Sequence, residues 1–157
     1  MKKHDELKTQ IIHRPGGKTG GATWHERFSM DFLVNGESLY KLLGADKLDM
    51  IGRFSKETPD WNSKSVDVFI QKLPPDLGNG RVMLYVCSEC GDIGCGAITM
   101  QISKNNDEYI WSLFAYENDY DPEMTDYESY KSVGPFRFST EQYEQVVHNA
   151  GNSIALG

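Results

Sequence analysis

The sequence predicts an α+β fold: an antiparallel sheet, built on a three-strand meander around a cysteine turn, with short helices on one face. Three features point there. Apolar, β-branched and aromatic runs at Arg81–Val86, Ala97–Ile102 and Glu108–Tyr116 are separated by turn-forming stretches. An earlier run, Phe28, Met30, Phe32 and Val34, has the period of two that one strand face requires. Ser139, three residues before Gln142, has the spacing of a helix N-terminus.

Taken in order, residues 1–22 are glycine-rich at Gly16, Gly17, Gly20 and Gly21, hold no sustained period, and read as a flexible arm ahead of a single domain over 23–157. Gly17-Lys18-Thr19 has the ending of a phosphate-binding loop. That motif needs a glycine at position 12, where Ile12 stands, and a buried strand before it. After the Phe28–Val34 strand, Asn35-Gly36 marks a turn. Ser38 then caps a short helix through Leu43, stopped by Gly44. Residues 45–65 show no period. Val66–Leu73 fits helix or strand and ends before Pro74-Pro75. The meander follows, with Asn105-Asn106-Asp107 as its second turn. The last helix begins at Ser139 and is expected to end at Gly151.

At 157 residues, with 39% hydrophobic and 25% charged side chains, the composition is that of one soluble globular domain. No apolar run reaches the roughly 18–20 residues that cross a bilayer, and Met1-Lys2-Lys3 is followed by no apolar segment of a signal peptide. A cytoplasmic location is therefore expected, with no membrane partner. The net charge is −7, and residues 1–27 hold six Lys/Arg against three acids, so the rest of the chain is strongly acidic. An acidic body repels nucleic acid and attracts basic partners.

All three cysteines fall within nine residues: Cys87, Cys90 and Cys95, with Gly91, Gly94 and Gly96 between and beside them. An odd count in a tight cluster makes a poor disulfide framework and suits reduced thiols. The spacing suits three thiolate ligands of a structural zinc, which takes about four N/S donors in a tetrahedron. It resembles the opening of a retroviral-type zinc knuckle, with Cys95 in the place of that family's histidine. The fourth ligand would fall at Met100, so His13, His25 or His148 would have to supply it. Two other readings stand beside this one. Cys87 and Cys90 form a Cys-x-x-Cys redox pair, although Glu89 and Asp92 oppose a low thiol pKa. Alternatively, the cysteines are small hydrophobes in a tight turn.

Between Lys104 and Lys131 the chain has no cation and eight acids, interleaved with Tyr109, Trp111, Tyr116, Tyr120, Tyr127 and Tyr130. Carboxylates steer a basic partner, and buried aromatic anchors dominate interface energetics. The expected partner-binding residues are Trp111, Tyr116, Glu117, Asp119, Tyr120, Asp121 and Glu123. The competing reading is a solvated acidic loop with Trp111 in the core. Asp119, Asp121 and Glu123 begin like a calcium loop, but Met124 and Tyr130 occupy the positions of its glycine and bidentate glutamate. Trp24-His25-Glu26-Arg27 lacks the second histidine of a zinc-protease signature. No catalytic set emerges.

The stretch Leu84–Ala97 with its Cys-Ser-Glu-Cys-Gly-Asp-Ile-Gly-Cys-Gly core, the pattern Trp111, Phe114, Tyr116, Tyr120, and Gly134-Pro135-Phe136 with Phe138 resemble a family of small uncharacterised bacterial proteins. Members sometimes carry a generic oxidoreductase label, and the resemblance spans about residues 28–150. Two functions are expected to compete. One is a non-enzymatic protein-binding domain, an immunity or antitoxin-like inhibitor of a basic toxin. The other is a thiol- or metal-dependent oxidoreductase using Cys87, Cys90 and Cys95.

Overall fold

The computed structural model describes residues 4–89, 93–118 and 125–156. In chain order the elements are β1 (Leu7–Arg14), β2 (Gly17–Thr19), β3 (Ala22–Trp24), β4 (Arg27–Val34), β5 (Glu37–Ser38), α1 (Leu39–Leu42), β6 (Met50–Gly52), α2 (Pro59–Phe69), β7 (Val82–Cys87), β8 (Ala97–Lys104), β9 (Glu108–Glu117), β10 (Phe136–Ser139) and α3 (Thr140–Leu156). All paired strands are antiparallel. The fold is α+β.

The meander is β7-β8-β9, the centre of a five-stranded sheet ordered β10-β9-β8-β7-β6. A second sheet, β1-β4-β5, packs beside it, and β2-β3 form a small hairpin. The two larger sheets are joined at both margins. Past β6 the chain crosses to β4, where the Met30 amide donates to the Phe54 carbonyl at 2.8 Å and the Lys56 amide to that of Phe28 at 2.8 Å. Gly52 permits this crossing: a Cβ there would lie 1.9 Å from the Met30 carbonyl oxygen. At the other margin the Asp5 amide donates to the Arg137 carbonyl at 2.7 Å, and the Arg137 amide to the Asp5 carboxylate at 2.8 Å.

An aromatic cluster fills the space between the sheets and α2 and α3. Trp111 is fully buried and meets Phe32, Phe69, Phe138 and Tyr143 edge-on at 5.1–6.0 Å, the geometry that ring quadrupoles favour. Its indole N–H donates to the Tyr143 hydroxyl at 3.2 Å, which donates on to the Phe69 carbonyl at 2.7 Å. Burial pushes the Tyr143 pKa far up. Asp31, also fully buried, is answered by four donors: Gln10, Ser38, the Tyr40 amide and the Tyr85 hydroxyl. This is what a carboxylate removed from water requires.

Several expectations are corrected here. Residues 7–14 are not part of a flexible arm: β1 pairs with β4 along its full length and Leu7 is fully buried, so the domain begins well before residue 23. The glycines between are the β2-β3 hairpin. Within the aperiodic 45–65 stretch stand β6 and most of α2, which has Pro59 in its first turn, where a missing N–H costs nothing. The last helix runs through Gly151 to Leu156. That glycine brings two helices together, since a Cβ would meet Val66 of α2 at 2.5 Å. The Ser38 and Ser139 hydroxyls each accept from a backbone amide three residues on, as their spacing predicts.

Candidate functional site

β7 delivers Cys87, Ser88 and Glu89 to the mouth of the cysteine turn. Cys87 sits opposite Met50 of β6 and carries a free, half-buried thiol. Cys95 is exposed, ends a short 3-10 turn over Ile93–Cys95, and is held in a disulfide. Cys90 lies outside the described residues.

Charges from distant segments clamp this turn. Arg14, at the end of β1 and nearly buried, forks between Glu89 at 2.7 Å and Asp49 at 2.9 Å, and also donates to the His25 carbonyl at 2.7 Å. The His25 ring Nδ1 lies 2.7 Å from the other Glu89 oxygen. Ser88 donates to Asp49 at 3.0 Å, and Arg27 donates to the Ser88 carbonyl at 3.1 Å. The Arg14 and His25 hydrogen bonds hold the Glu89 carboxyl down at about 2, because each favours the charged form. Of the three histidines named as further zinc donors, His25 is the one the structure brings to this turn. His13 pairs with Glu26 at 2.9 Å and stacks on Phe28.

The expected zinc set needs three thiolates, and Cys95 has none to give while its sulfur is in a disulfide. Among the described residues, no group of three or more His, Cys, Asp or Glu side chains is placed to hold a metal.

The second neighbourhood is the end of β9. Trp111, expected to be a partner anchor, is instead the centre of the core and out of a partner's reach. Glu117 is buried as well, paired with Arg81 at 3.3 Å and accepting from Thr99 at 2.7 Å and Asn79 at 3.1 Å. It supports the sheet and offers no surface charge. Tyr116 is half-buried and lies under the cysteine turn, where a Cβ on Gly96 would fall 2.1 Å from its hydroxyl. Asp119, Tyr120, Asp121 and Glu123 lie outside the described residues. The ends of their segment are tied together: Tyr116 and Asp126 exchange backbone hydrogen bonds at 3.0 and 2.8 Å.

The cysteine turn and the acidic stretch, separate in sequence, thus meet through Gly96 and Tyr116. Sequence reasoning missed Arg14, Asp49 and Arg81, because an arginine's partner is visible only once the chain is folded. It also missed Leu113. Between the pairs Thr99–Ala115 and Gln101–Ser112, β9 spends one residue more than β8, and Leu113 takes φ +54 at this bulge. Among the described residues, Leu113 and Tyr127 are the large hydrophobic side chains exposed in this region.

No protein family, curated protein or solved structure matches this chain. No helix among the described residues is long and apolar enough to cross a membrane.

Proposed function

We propose that this chain is a non-enzymatic protein-binding domain, an immunity-like inhibitor that neutralises a basic toxin domain. The observation that carries the reading is the segment from Tyr116 to Asp126. Its two ends are pinned to each other, its sequence carries Asp119, Asp121 and Glu123, and it leads directly into exposed Tyr127. Like charges carried close together in one segment speed and orient encounter with a cationic protein.

The test uses purified cationic nuclease and toxin domains as probes, titrated calorimetrically at low and high salt. Wild-type protein is expected to bind at least one of them, and the triple reversal Asp119→Lys, Asp121→Lys, Glu123→Lys to weaken it by about tenfold or more, which is about 1.4 kcal/mol. Affinity indifferent to both the reversal and salt refutes the reading.

A second reading rests on a different observation: a free thiol at Cys87 in the same turn as the Cys95 disulfide. Such a pairing suits a thiol–disulfide oxidoreductase. An external dithiol would give two electrons and two protons to the disulfide, leaving two thiols here and a disulfide in the donor. This reading requires reversible turnover with a dithiol donor, lost in Cys95→Ser.

A further inference from the structure

Asn-Gly occurs twice in the chain, at Asn35-Gly36 and Asn79-Gly80, with each glycine at φ +83. Such a pair carries its own reaction. The glycine nitrogen attacks the asparagine Cγ, with no Cβ on the glycine to obstruct the approach. A bond forms between that nitrogen and Cγ, the Cγ–Nδ2 bond breaks, and ammonia leaves with the proton of the glycine N–H. Water then opens the cyclic imide at either carbonyl, giving aspartate or isoaspartate. Cyclisation therefore needs an unengaged glycine N–H and a side chain that can leave its hydrogen bonds. The fold separates the two pairs on both counts. At the second, the Gly80 N–H donates to the Leu77 carbonyl at 3.0 Å, and the Asn79 side chain bridges the Arg81 amide and the Glu117 carboxylate at 3.1 Å each. Arg81 and Glu117 are buried, so releasing Asn79 strands groups that water does not reach. At the first, the Gly36 N–H meets no acceptor among the described residues, and Asn35 is exposed. Its Oδ1 accepts from the Glu6 amide and its Nδ2 donates to the Asp5 carboxylate, both at 2.9 Å and both at the surface, where water can replace them.

We propose that Asn35 is a site of spontaneous deamidation, and that its conversion unfastens the N-terminal clasp between the two larger sheets. Asp5 is the centre of that clasp. One of its carboxylate oxygens accepts from Asn35 and the other from the Arg137 amide at 2.8 Å, while its own amide donates to the Arg137 carbonyl at 2.7 Å. Deamidation exchanges the Asn35 donor for an anion facing the Asp5 carboxylate, so an attraction becomes a like-charge repulsion. In the isoaspartate product the backbone is also longer by a methylene, which moves the oxygen away from the Glu6 amide. Because ammonia is lost, the fold cannot undo the step. A clasp that opens long enough for Gly36 to attack stays loosened.

The full chain is held in mildly alkaline buffer, sampled over time and mapped by peptide mass spectrometry that separates aspartate from isoaspartate. In the folded protein Asn35 is expected to convert about tenfold faster than Asn79 or more, the difference made by hydrogen bonds to a buried charged group. In urea, where neither turn is held, the two rates should converge. Equal rates in the folded chain, or Asn79 ahead, would overturn the assignment. Asn35→Asp reads the consequence by amide hydrogen exchange: the Asp5 amide should lose protection by about tenfold or more. Adding Asp5→Asn swaps donor and acceptor across the clasp and should restore that protection, which guards against a folding artefact. Protection unchanged in the single variant, or no recovery in the double, would overturn the role of the clasp.

Discussion

Glu117 and Glu89 both stand at ends of meander strands and both meet an arginine, yet the two pairs do different work. Glu117 and Arg81 are nearly out of water, and Asn79, Thr99 and the Leu113 carbonyl satisfy what remains of their hydrogen bonding. Glu89 is about one-third exposed and faces Arg14 and His25, which arrive from the N-terminal strand and the segment just after the β2-β3 hairpin. The buried pair shapes β9 and the bulge it carries. The second pair fastens one loop to another, with its Glu89 side open to water that screens it. The same chemistry is structural in the first place and a clamp in the second, because burial decides what an unpaired partner costs.

Removing one buried partner tests this contrast most severely. Arg81→Met strands the Glu117 charge and is expected to lower unfolding stability by about 3–5 kcal/mol, read by urea denaturation. Arg81→Met with Glu117→Leu should recover much of that loss, and a double variant no better than the single would contradict the account. Gly96→Ala probes the contact between the two regions. Its φ of +94 and the Tyr116 hydroxyl 2.1 Å from the added carbon oppose it, and about 1–3 kcal/mol is expected from such overpacking. A shift in Tyr116 resonances should accompany the loss.

Leu113→Gly is expected to raise stability by about 1 kcal/mol, the strain of a left-handed non-glycine residue, visible as a higher urea midpoint. A drop would mean that the exposed side chain is packed in solution. The smallest effect belongs to Glu89. Its carboxyl titrates at about 2 when folded against 4.5 ordinarily, so its contribution is in place above about pH 4.5 and disappears as pH falls toward 2. Glu89→Gln should flatten the stability profile over that window, and carbon-detected NMR of the Glu89 carboxyl should show the low midpoint. A midpoint near 4.5 would remove the clamp.

How far the sequence could be read follows the range of the forces involved. Ser38 and Ser139 were legible as caps because a cap and its amide lie three residues apart. The meander was legible because strand period and turn chemistry are written locally, and Asn35-Gly36 marked the turn from β4 to β5 for the same reason. Gly52 and Gly151 were misread or passed over, since the reason for each is a backbone or side chain from a remote element. Trp111 was ambiguous in kind. An aromatic beside acids fits a surface anchor and a core residue equally until Phe32, Phe69, Phe138 and Tyr143 are seen around it. The candidate site divided the same way: the cysteine spacing and acid run are sequence facts, whereas the neutralisation of Glu117 by Arg81 lies 36 residues away along the chain.

By itself the sequence determined the α+β class, the strands of the meander, the caps and the strong negative balance of all but the N-terminal segment, since propensity, periodicity and charge add up over neighbouring residues. Tertiary structure alone decided that β1 belongs to the body, that Trp111 is core, that Arg14 and Arg81 choose Glu89 and Glu117, and that Leu113 faces water. Those outcomes depend on which distant groups exclude solvent from one another, and no local pattern encodes that.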